Sequence, residues 1–216
     1  MKRAKEFRRQ AWNSIRGKWG TLVITYLVYL VIFGCVGALS VIPSLGAVLG
    51  SIVTLIITGP FSLGLSIISL NIVRGDNVTV NNLFVGFKRF LDAFLANLIN
   101  GILIALWSLL FIIPGIIKGY SYSMTYYILA DNPSMTANDA RKKSMDIMRG
   151  NKWRLFCLQL SFIGWLLLCV LTLGILTLWI SPYIQTATAA FYEDISATLK
   201  ANYDNMVENE NIAEDT

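Results

Sequence analysis

Asparagine, glutamine and tyrosine side chains that interrupt apolar stretches are the residues in this chain that could do chemistry. Asn97 and Asn100 lie three residues apart and would therefore share one face of a helix. Gln159 and Gln185 interrupt two later apolar stretches. Tyrosines are concentrated in a short segment with serines and a threonine, at Tyr120, Tyr122, Tyr126 and Tyr127. These groups could bind a ligand along a polar path, or they could join packed helices through hydrogen bonds of roughly 0.6–2 kcal/mol each.

The sequence contains no recognisable catalytic or metal-binding constellation. His is absent, and Cys35, Cys157 and Cys169 lie in apolar stretches without the spacing of metal ligands. No acidic residue within these stretches offers a proton relay. The acidic residues at their boundaries include Asp139, Asp146 and Glu193. Solvated pairing with nearby Lys and Arg explains them, so we expect no enzymatic reaction, metal or cofactor.

Composition and charge distribution indicate an integral membrane protein. Of the 216 residues, 55% are hydrophobic and 14% are charged, whereas roughly one quarter of a soluble domain is charged. No charged residue occurs between Trp19 and Val73, a stretch long enough for two membrane spans of about 20 residues each. The net charge of +5 comes largely from Lys and Arg beside the spans, where membrane proteins place them, and we expect no nucleic-acid partner.

The apolar stretches predict an all-α polytopic membrane protein with about six transmembrane helices in three hairpins. The hairpins cover about residues 20–73, 93–130 and 155–191, and turns are expected at Pro43-Ser44, Pro114-Gly115 and Gly174. Residues 1–199 form a single membrane domain in this interpretation. The polar, acidic segment 200–216 has little apolar periodicity and is predicted to be a mobile cytoplasmic tail.

Each hairpin follows a segment with the periodicity of an amphipathic helix, over about residues 3–19, 80–91 and 137–149. The apolar side of the first segment is Phe7, Ala11, Ile15 and Trp19, with Trp12 beside them. Thr136 with Asp139 predicts a capping box before the third segment. Helices of this kind are expected to lie in the headgroup region. The predicted apolar side of the second segment is Val80, Leu83, Phe84, Phe87 and Leu91, and that of the third is Ala137, Ala140, Ser144, Ile147 and Met148.

The basic residues of these segments predict the orientation. Lys and Arg are concentrated near the amphipathic segments, and the three turns have almost no charge, so both termini are expected in the cytoplasm. We expect anionic lipid headgroups as partners on that face. The residues predicted to contact them are Arg8, Arg9, Arg16, Lys18, Lys88, Arg89, Arg141, Lys142, Lys143 and Lys152.

Lys118 lies apart from these clusters, near the predicted outer end of the short fourth span. A cation at the bilayer centre costs roughly 2.5–3.5 kcal/mol on insertion scales, so the simpler interpretation is that its side chain extends to the outer headgroups. The alternative is a site for a lipid phosphate or an anionic ligand at the outer leaflet.

The three junctions between amphipathic segment and hairpin resemble one another. They read Arg16-Gly17-Lys18-Trp19, Gly86-Phe87-Lys88-Arg89-Phe90 and Arg149-Gly150-Asn151-Lys152-Trp153. Glycine permits a change of chain direction, while lysine and an aromatic ring suit the bilayer boundary. Convergence on such junctions is possible, but the common order favours a threefold internal repeat.

Several motifs, taken in order, resemble the domain-of-unknown-function family 975 of bacterial integral membrane proteins. The Gly17-Lys18-Trp19 junction and Gly59-Pro60 fit the family. The later motifs are Ile113-Pro114-Gly115-Ile116-Ile117, Tyr120-Ser121-Tyr122-Ser123-Met124, Ser161-Phe162-Ile163-Gly164-Trp165 and Phe191-Tyr192. The resemblance extends to about Ile195 and implies a protein of the bacterial plasma membrane. It implies no reaction, ligand or catalytic residue.

Three classes of function follow from these observations. The basic amphipathic segments favour a non-enzymatic module that organises membrane lipid or a partner protein, including a second copy of the chain. The repeat and the polar fourth span favour a small-molecule or lipid transporter. A membrane enzyme ranks lowest because no catalytic constellation supports it.

Overall fold

The all-helical prediction is confirmed. This computed structural model describes residues 3–39 and 46–214, and all regular secondary structure within them is helical. A 3₁₀ turn, Gly86–Arg89, joins α4 to α5. The helices are α1 (Ala4–Ile15), α2 (Trp19–Leu39), α3 (Gly46–Arg74), α4 (Asn82–Val85), α5 (Phe90–Leu110), α6 (Ile112–Tyr122), α7 (Thr125–Asp131), α8 (Ala137–Ile147), α9 (Lys152–Leu160), α10 (Ile163–Leu171) and α11 (Thr177–Glu214).

Four helical segments in the described chain are long and apolar enough to cross a membrane, as expected of a membrane protein. They are Trp19–Ala38, Gly46–Arg74, Asn82–Leu110 and Lys152–Leu171. They correspond to the first, second, third and fifth predicted spans. The segments predicted as spans four and six form α6 with α7 and the first half of α11. The predicted turn at Pro43-Ser44 lies outside the described residues.

The turn between α5 and α6 occurs earlier than the sequence indicates. Phe111 has an extended backbone and separates the two helices, while Pro114 lies in the first turn of α6. Proline is tolerated there because the first amides of a helix have no intrahelical acceptor. A Cβ atom on Gly115 would lie 2.8 Å from the Ser108 Cα atom, so the bare glycine allows α5 and α6 to pack closely.

Each short helix that precedes a predicted hairpin packs mainly against the last helix of another predicted hairpin. Helix α1 packs on α11, α4 packs on α3, and α8 packs on α7. Helix α3 also contacts both α7 and α11, and the Tyr127 and Tyr192 rings stack at a centroid distance of 5.6 Å. Helices α3, α7 and α11 therefore form the centre of the bundle, and the apolar side chains of α2, α5 and α10 are largely exposed outward.

The predicted apolar sides of two of the short helices are directed into the protein. Phe7, Ala11 and Ile15 of α1 are buried, as are all five residues predicted for α8, and Thr136 caps α8 by accepting a hydrogen bond from the Asp139 amide. In the second segment only Leu83 of the predicted apolar side is buried, and Leu91 is 70% exposed. The position of these helices relative to a membrane stays a prediction.

The last helix continues through the acidic segment as far as Glu214. Its helical backbone does not test the mobility predicted for residues 200–216, which stays a prediction. The final residues of that segment, 215 and 216, lie outside the described part of the chain.

Candidate functional site

Hydrogen bonds and ion pairs connect several helix ends and the segments between them at one end of the bundle. The Lys18 Nζ atom donates to the Asp76 carbonyl at 2.6 Å, and the Arg154 guanidinium pairs with Asp194 at 2.9 Å. Arg74, at the end of α3, pairs with Asp131 at the end of α7 and with Glu193 of α11. We call the end that contains these contacts the basic end.

The ten basic residues predicted to contact lipid differ in how exposed they are in the structure. Arg9, Arg16, Lys88, Lys142 and Lys143 are exposed, while Lys18 and Lys152 are half-buried. The five exposed side chains are free to reach a lipid surface. The remaining members, Arg8, Arg89 and Arg141, are half-buried and contact the protein.

Arg89 binds the loop between α7 and α8. Its guanidinium donates to the carbonyls of Leu129 at 2.7 Å, Asn132 at 3.2 Å and Met135 at 2.6 Å, and it pairs with Asp92 at 3.0 Å. These acceptors use most of its five N–H donors. These contacts give Arg89 a structural role, and the lipid contact that the charge pattern indicated stays a prediction.

Arg8 and Arg141 lie against aromatic rings. The Arg8 guanidinium donates to the Ser161 carbonyl at 2.9 Å and lies 5.9 Å from the centre of the Phe162 ring. The Arg141 guanidinium lies 5.7 Å from the centre of the Tyr122 ring. Both side chains therefore hold neighbouring helices together in addition to carrying charge.

Four of the predicted polar residues line one cavity of about 270 Å³ between α5, α6 and α7: Asn97, Asn100, Tyr122 and Tyr126. The Tyr126 hydroxyl donates to the Asn97 Oδ1 atom at 3.3 Å. Asn100 is 8% exposed, and its Oδ1 atom has no hydrogen-bond partner among the described residues. We call this space the polar cavity.

A second pocket, of about 370 Å³, shares Asn97 with the polar cavity. Its wall includes Ser51, Thr54 and Thr58 of α3, and the Asn97 Nδ2 atom donates to the Leu55 carbonyl at 3.1 Å. Asn97 therefore lies between two pockets whose linings include polar side chains. Among the described residues, these two pockets are the candidates for the polar path that the sequence suggests.

The other predicted polar residues lie outside the polar cavity. The Tyr120 hydroxyl donates to Gln159 at 2.7 Å, and the Tyr127 hydroxyl donates to Gln185 at 2.9 Å. These contacts join α6 to α9 and α7 to α11, as expected of hydrogen bonds between packed helices. The Lys118 Nζ atom lies 5.0 Å from the centre of the Trp107 ring, a cation–π contact with α5, and both interpretations of Lys118 stay predictions.

A larger, apolar pocket of about 810 Å³ was missed from the sequence. Four tryptophans line it, Trp12 and Trp19 at the α1–α2 junction, Trp165 of α10 and Trp179 of α11, together with Ile180 and Tyr183. We call this space the tryptophan groove. The sequence places Trp12 and Trp19 on one amphipathic segment but gives no sign that they meet Trp165 and Trp179, which the packing of α1 against α11 brings near.

The network of Arg74, Asp131 and Glu193 was also missed. The charge pattern predicts that Glu193 pairs with basic residues nearby, but its partner Arg74 is 119 positions away. The Tyr192 hydroxyl adds a hydrogen bond of 3.0 Å to Asp131. The only signal in the sequence was that each of the three charges follows directly after a long apolar stretch.

Comparison with known proteins confirms the resemblance stated from the sequence motifs. The family described as "Protein of unknown function (DUF975)" matches residues 1–118 and 109–199. No curated protein and no solved structure matches the chain. Because the two matches together cover residues 1–199 of the 216-residue chain, the chain belongs to the DUF975 family.

Proposed function

We propose that this chain is a bacterial plasma-membrane protein that organises anionic lipid at its basic end and catalyses no reaction of its own. Its six spans form three hairpins, and both termini are cytoplasmic. A partner membrane protein or a second copy of the chain could be held at the same face. The observation that carries this proposal is the collection of exposed lysines and arginines at one end of the bundle.

The charge distribution supports the orientation. Contacts of Lys18, Arg74, Arg89 and Arg154 place the basic junctions together. Along the sequence, residues 19–73 and 155–192 carry no charge, and Lys118 is the only charged residue between Asp92 and Asp131. Such asymmetry between the two ends is the feature that sets membrane orientation, with the basic side in the cytoplasm.

The experiment measures the thermal stability of the purified chain in neutral detergent with added phosphatidylglycerol or phosphatidylcholine. A lipid that binds only the folded state raises the melting temperature. We expect phosphatidylglycerol to give the larger increase. The Lys142→Gln/Lys143→Gln variant should reduce that increase, because each exposed cation near an anionic surface contributes about 1 kcal/mol.

The matched control is Lys142→Arg/Lys143→Arg, which preserves both charges and should preserve the response. Arg141 is left unchanged because it contacts Tyr122. Equal stabilisation by the two lipids would contradict the proposal, as would a response to phosphatidylglycerol that is the same in the glutamine and arginine variants.

The alternative is a carrier for a small molecule or lipid, and the unpaired Asn100 Oδ1 atom favours it. A buried amide oxygen without a partner costs about 1–3 kcal/mol, and water or a polar ligand in the polar cavity would satisfy it. Gly101 and Gly119 line the cavity, and a Cβ atom on either would meet no atom within 4 Å. They are therefore suitable positions for cysteine probes.

In a background without Cys35, Cys157 and Cys169, a carrier predicts that Gly101→Cys and Gly119→Cys react with a water-soluble thiol reagent. Ile102→Cys is the matched control, because Ile102 is exposed on the outside of α5 and does not line the cavity. Protection of all three positions would exclude a hydrated path here and leave the lipid-organising module.

A further inference from the structure

The tryptophan groove has the dimensions and wall chemistry of a ligand site. Its volume of about 810 Å³ lies within the range of roughly 300–1,000 Å³ that is usual for small-molecule sites. Its walls are almost entirely apolar, with the hydroxyl of Tyr183 directed to the Arg8 carbonyl at 3.2 Å. A ligand that fills the groove must therefore be mostly hydrocarbon.

The groove is open at its sides. Trp12, Trp165 and Trp179 are 45%, 46% and 42% exposed, so their rings stand at its edges. The Trp12 ring contacts both the Trp19 ring and the Tyr183 ring edge to face, at centroid distances of 5.7 and 5.8 Å. An occupant could enter from the side, and because the outer surfaces of α2 and α10 are apolar, that side is the one that faces lipid.

Two exposed arginines near Trp12, which lines the groove, indicate the polar part of the occupant. Arg9 lies three residues before Trp12 on α1, so the two side chains are neighbours on the helix surface. Arg16, four residues after Trp12, directly follows the last residue of α1. Both arginines are exposed. They differ from Arg8, which is half-buried and whose guanidinium is occupied by the Ser161 carbonyl.

We propose that the tryptophan groove binds the acyl chain of one anionic phospholipid, with its phosphate between Arg9 and Arg16. This inference rests on the proposed lipid-organising function and names its lipid class and its site. The hydrocarbon chain matches the apolar wall, and the phosphate matches two guanidinium groups that present planar pairs of donors. The lipid bound here differs from the lipids around the basic end because one molecule is held by both its chain and its headgroup.

The test is native mass spectrometry of the detergent-purified chain after equilibration with equal amounts of phosphatidylglycerol and phosphatidylcholine. We expect one phosphatidylglycerol retained per chain. Arg9→Gln/Arg16→Gln should reduce the preference for phosphatidylglycerol over phosphatidylcholine by about fivefold for each arginine removed. The control Arg149→Gln/Lys200→Gln removes the same charge from exposed positions outside the groove and should retain the lipid.

A second pair of variants tests the chain-binding wall. Trp165→Leu/Trp179→Leu removes two edges of the groove without adding a polar group, and retention of the lipid should fall. Trp153→Leu is the matched control because Trp153 is exposed and does not line the groove. Elution of each variant as the same folded species by gel filtration separates loss of the site from loss of the fold.

Each other outcome overturns the inference. Equal retention of phosphatidylcholine and phosphatidylglycerol would show that Arg9 and Arg16 do not select an anionic headgroup. Unchanged retention in both groove variants would show that the lipid binds elsewhere. A dimer of the chain in place of a retained lipid would make the groove an interface. If phosphatidylglycerol still stabilises the protein through Lys142 and Lys143 in these cases, the proposed function stands without the groove; if it does not, both fail.

Discussion

Asp131 contacts both of the other central helices, in a network that it forms with Arg74. It accepts hydrogen bonds from Arg74 of α3 and from the Tyr192 hydroxyl of α11, and Arg74 also pairs with Glu193. Asp131 itself ends α7. Its side chain is only partly exposed, so these contacts are less screened by solvent than those of an ordinary surface pair.

We predict that Asp131→Asn lowers the free energy of unfolding by about 1–2 kcal/mol, because it removes the charge from two hydrogen bonds in a partly screened network. The control is Asp146→Asn. Asp146 lies 4.0 Å from Arg149, and the two side chains are 74% and 87% exposed, so a loss below about 0.5 kcal/mol is expected. Denaturant unfolding in detergent measures both, and equal losses would contradict the prediction.

At the level of residues, the sequence could predict partners that are close in the chain but not those that are distant. Asn97 and Asn100 do face one cavity, as their spacing of three indicated. Arg89 shows the limit, because its carbonyl acceptors lie at least 40 residues away. The tryptophan groove has the same origin, since Trp12 and Trp165 become neighbours only when α1 packs near α10 and α11.

At the scale of elements, the structure breaks two predicted spans. The fourth is interrupted between α6 and α7, and the fifth between α9 and α10. A break exposes backbone groups that need partners in an apolar environment. At the first break Ser144 of α8 supplies them, since its hydroxyl donates to the Ser121 carbonyl at 2.8 Å and accepts from the Met124 amide at 3.2 Å. Because these contacts are tertiary, hydropathy alone could not reveal the break.

We predict that Ser144→Ala destabilises the protein by about 1–3 kcal/mol, because a buried carbonyl and a buried amide both lose their partner. Ser66→Ala is the matched control. Ser66 is also buried, but its hydroxyl bonds only to the Ser62 carbonyl one turn earlier in the same helix, and a change below about 1 kcal/mol is expected. Thermal unfolding in a neutral detergent compares the two, and an equal effect would mean that Ser144 does not support the break.

At the scale of the whole molecule, packing repeats with the order of the hairpins. The helix before each hairpin packs on the last helix of another hairpin, in the sequence α1 on α11, α4 on α3 and α8 on α7. Gly17 and Gly150 have φ angles of +83° and +84° at the first and third junctions, whereas Gly86 is helical. The first and third junctions therefore share a backbone conformation that the second does not, and the threefold repeat stays a prediction.

The proposed orientation and hairpin order depend on how many times the chain crosses the membrane. Only four segments of the described chain meet the length and hydropathy expected of a span. The Arg74–Asp131 pair nevertheless requires the chain to return to the basic end between Leu110 and Asp131, and the Arg74–Glu193 pair requires the same between Leu171 and Glu193. If the chain has six spans, α6 and α7 together cross back to the basic end first, and α11 crosses back second.

Cysteines at Ile175 and Asn77 distinguish six crossings from four. Both residues are exposed, and the variants are made in a background without the three native cysteines. With six spans, an impermeant thiol reagent added to intact cells should label Ile175→Cys and should label Asn77→Cys only after permeabilisation. With four spans, the even number of crossings before residue 175 would place both cysteines on the cytoplasmic side. Labelling of Asn77→Cys alone in intact cells would reverse the orientation and place the basic end outside, which would remove the basis for the proposed function.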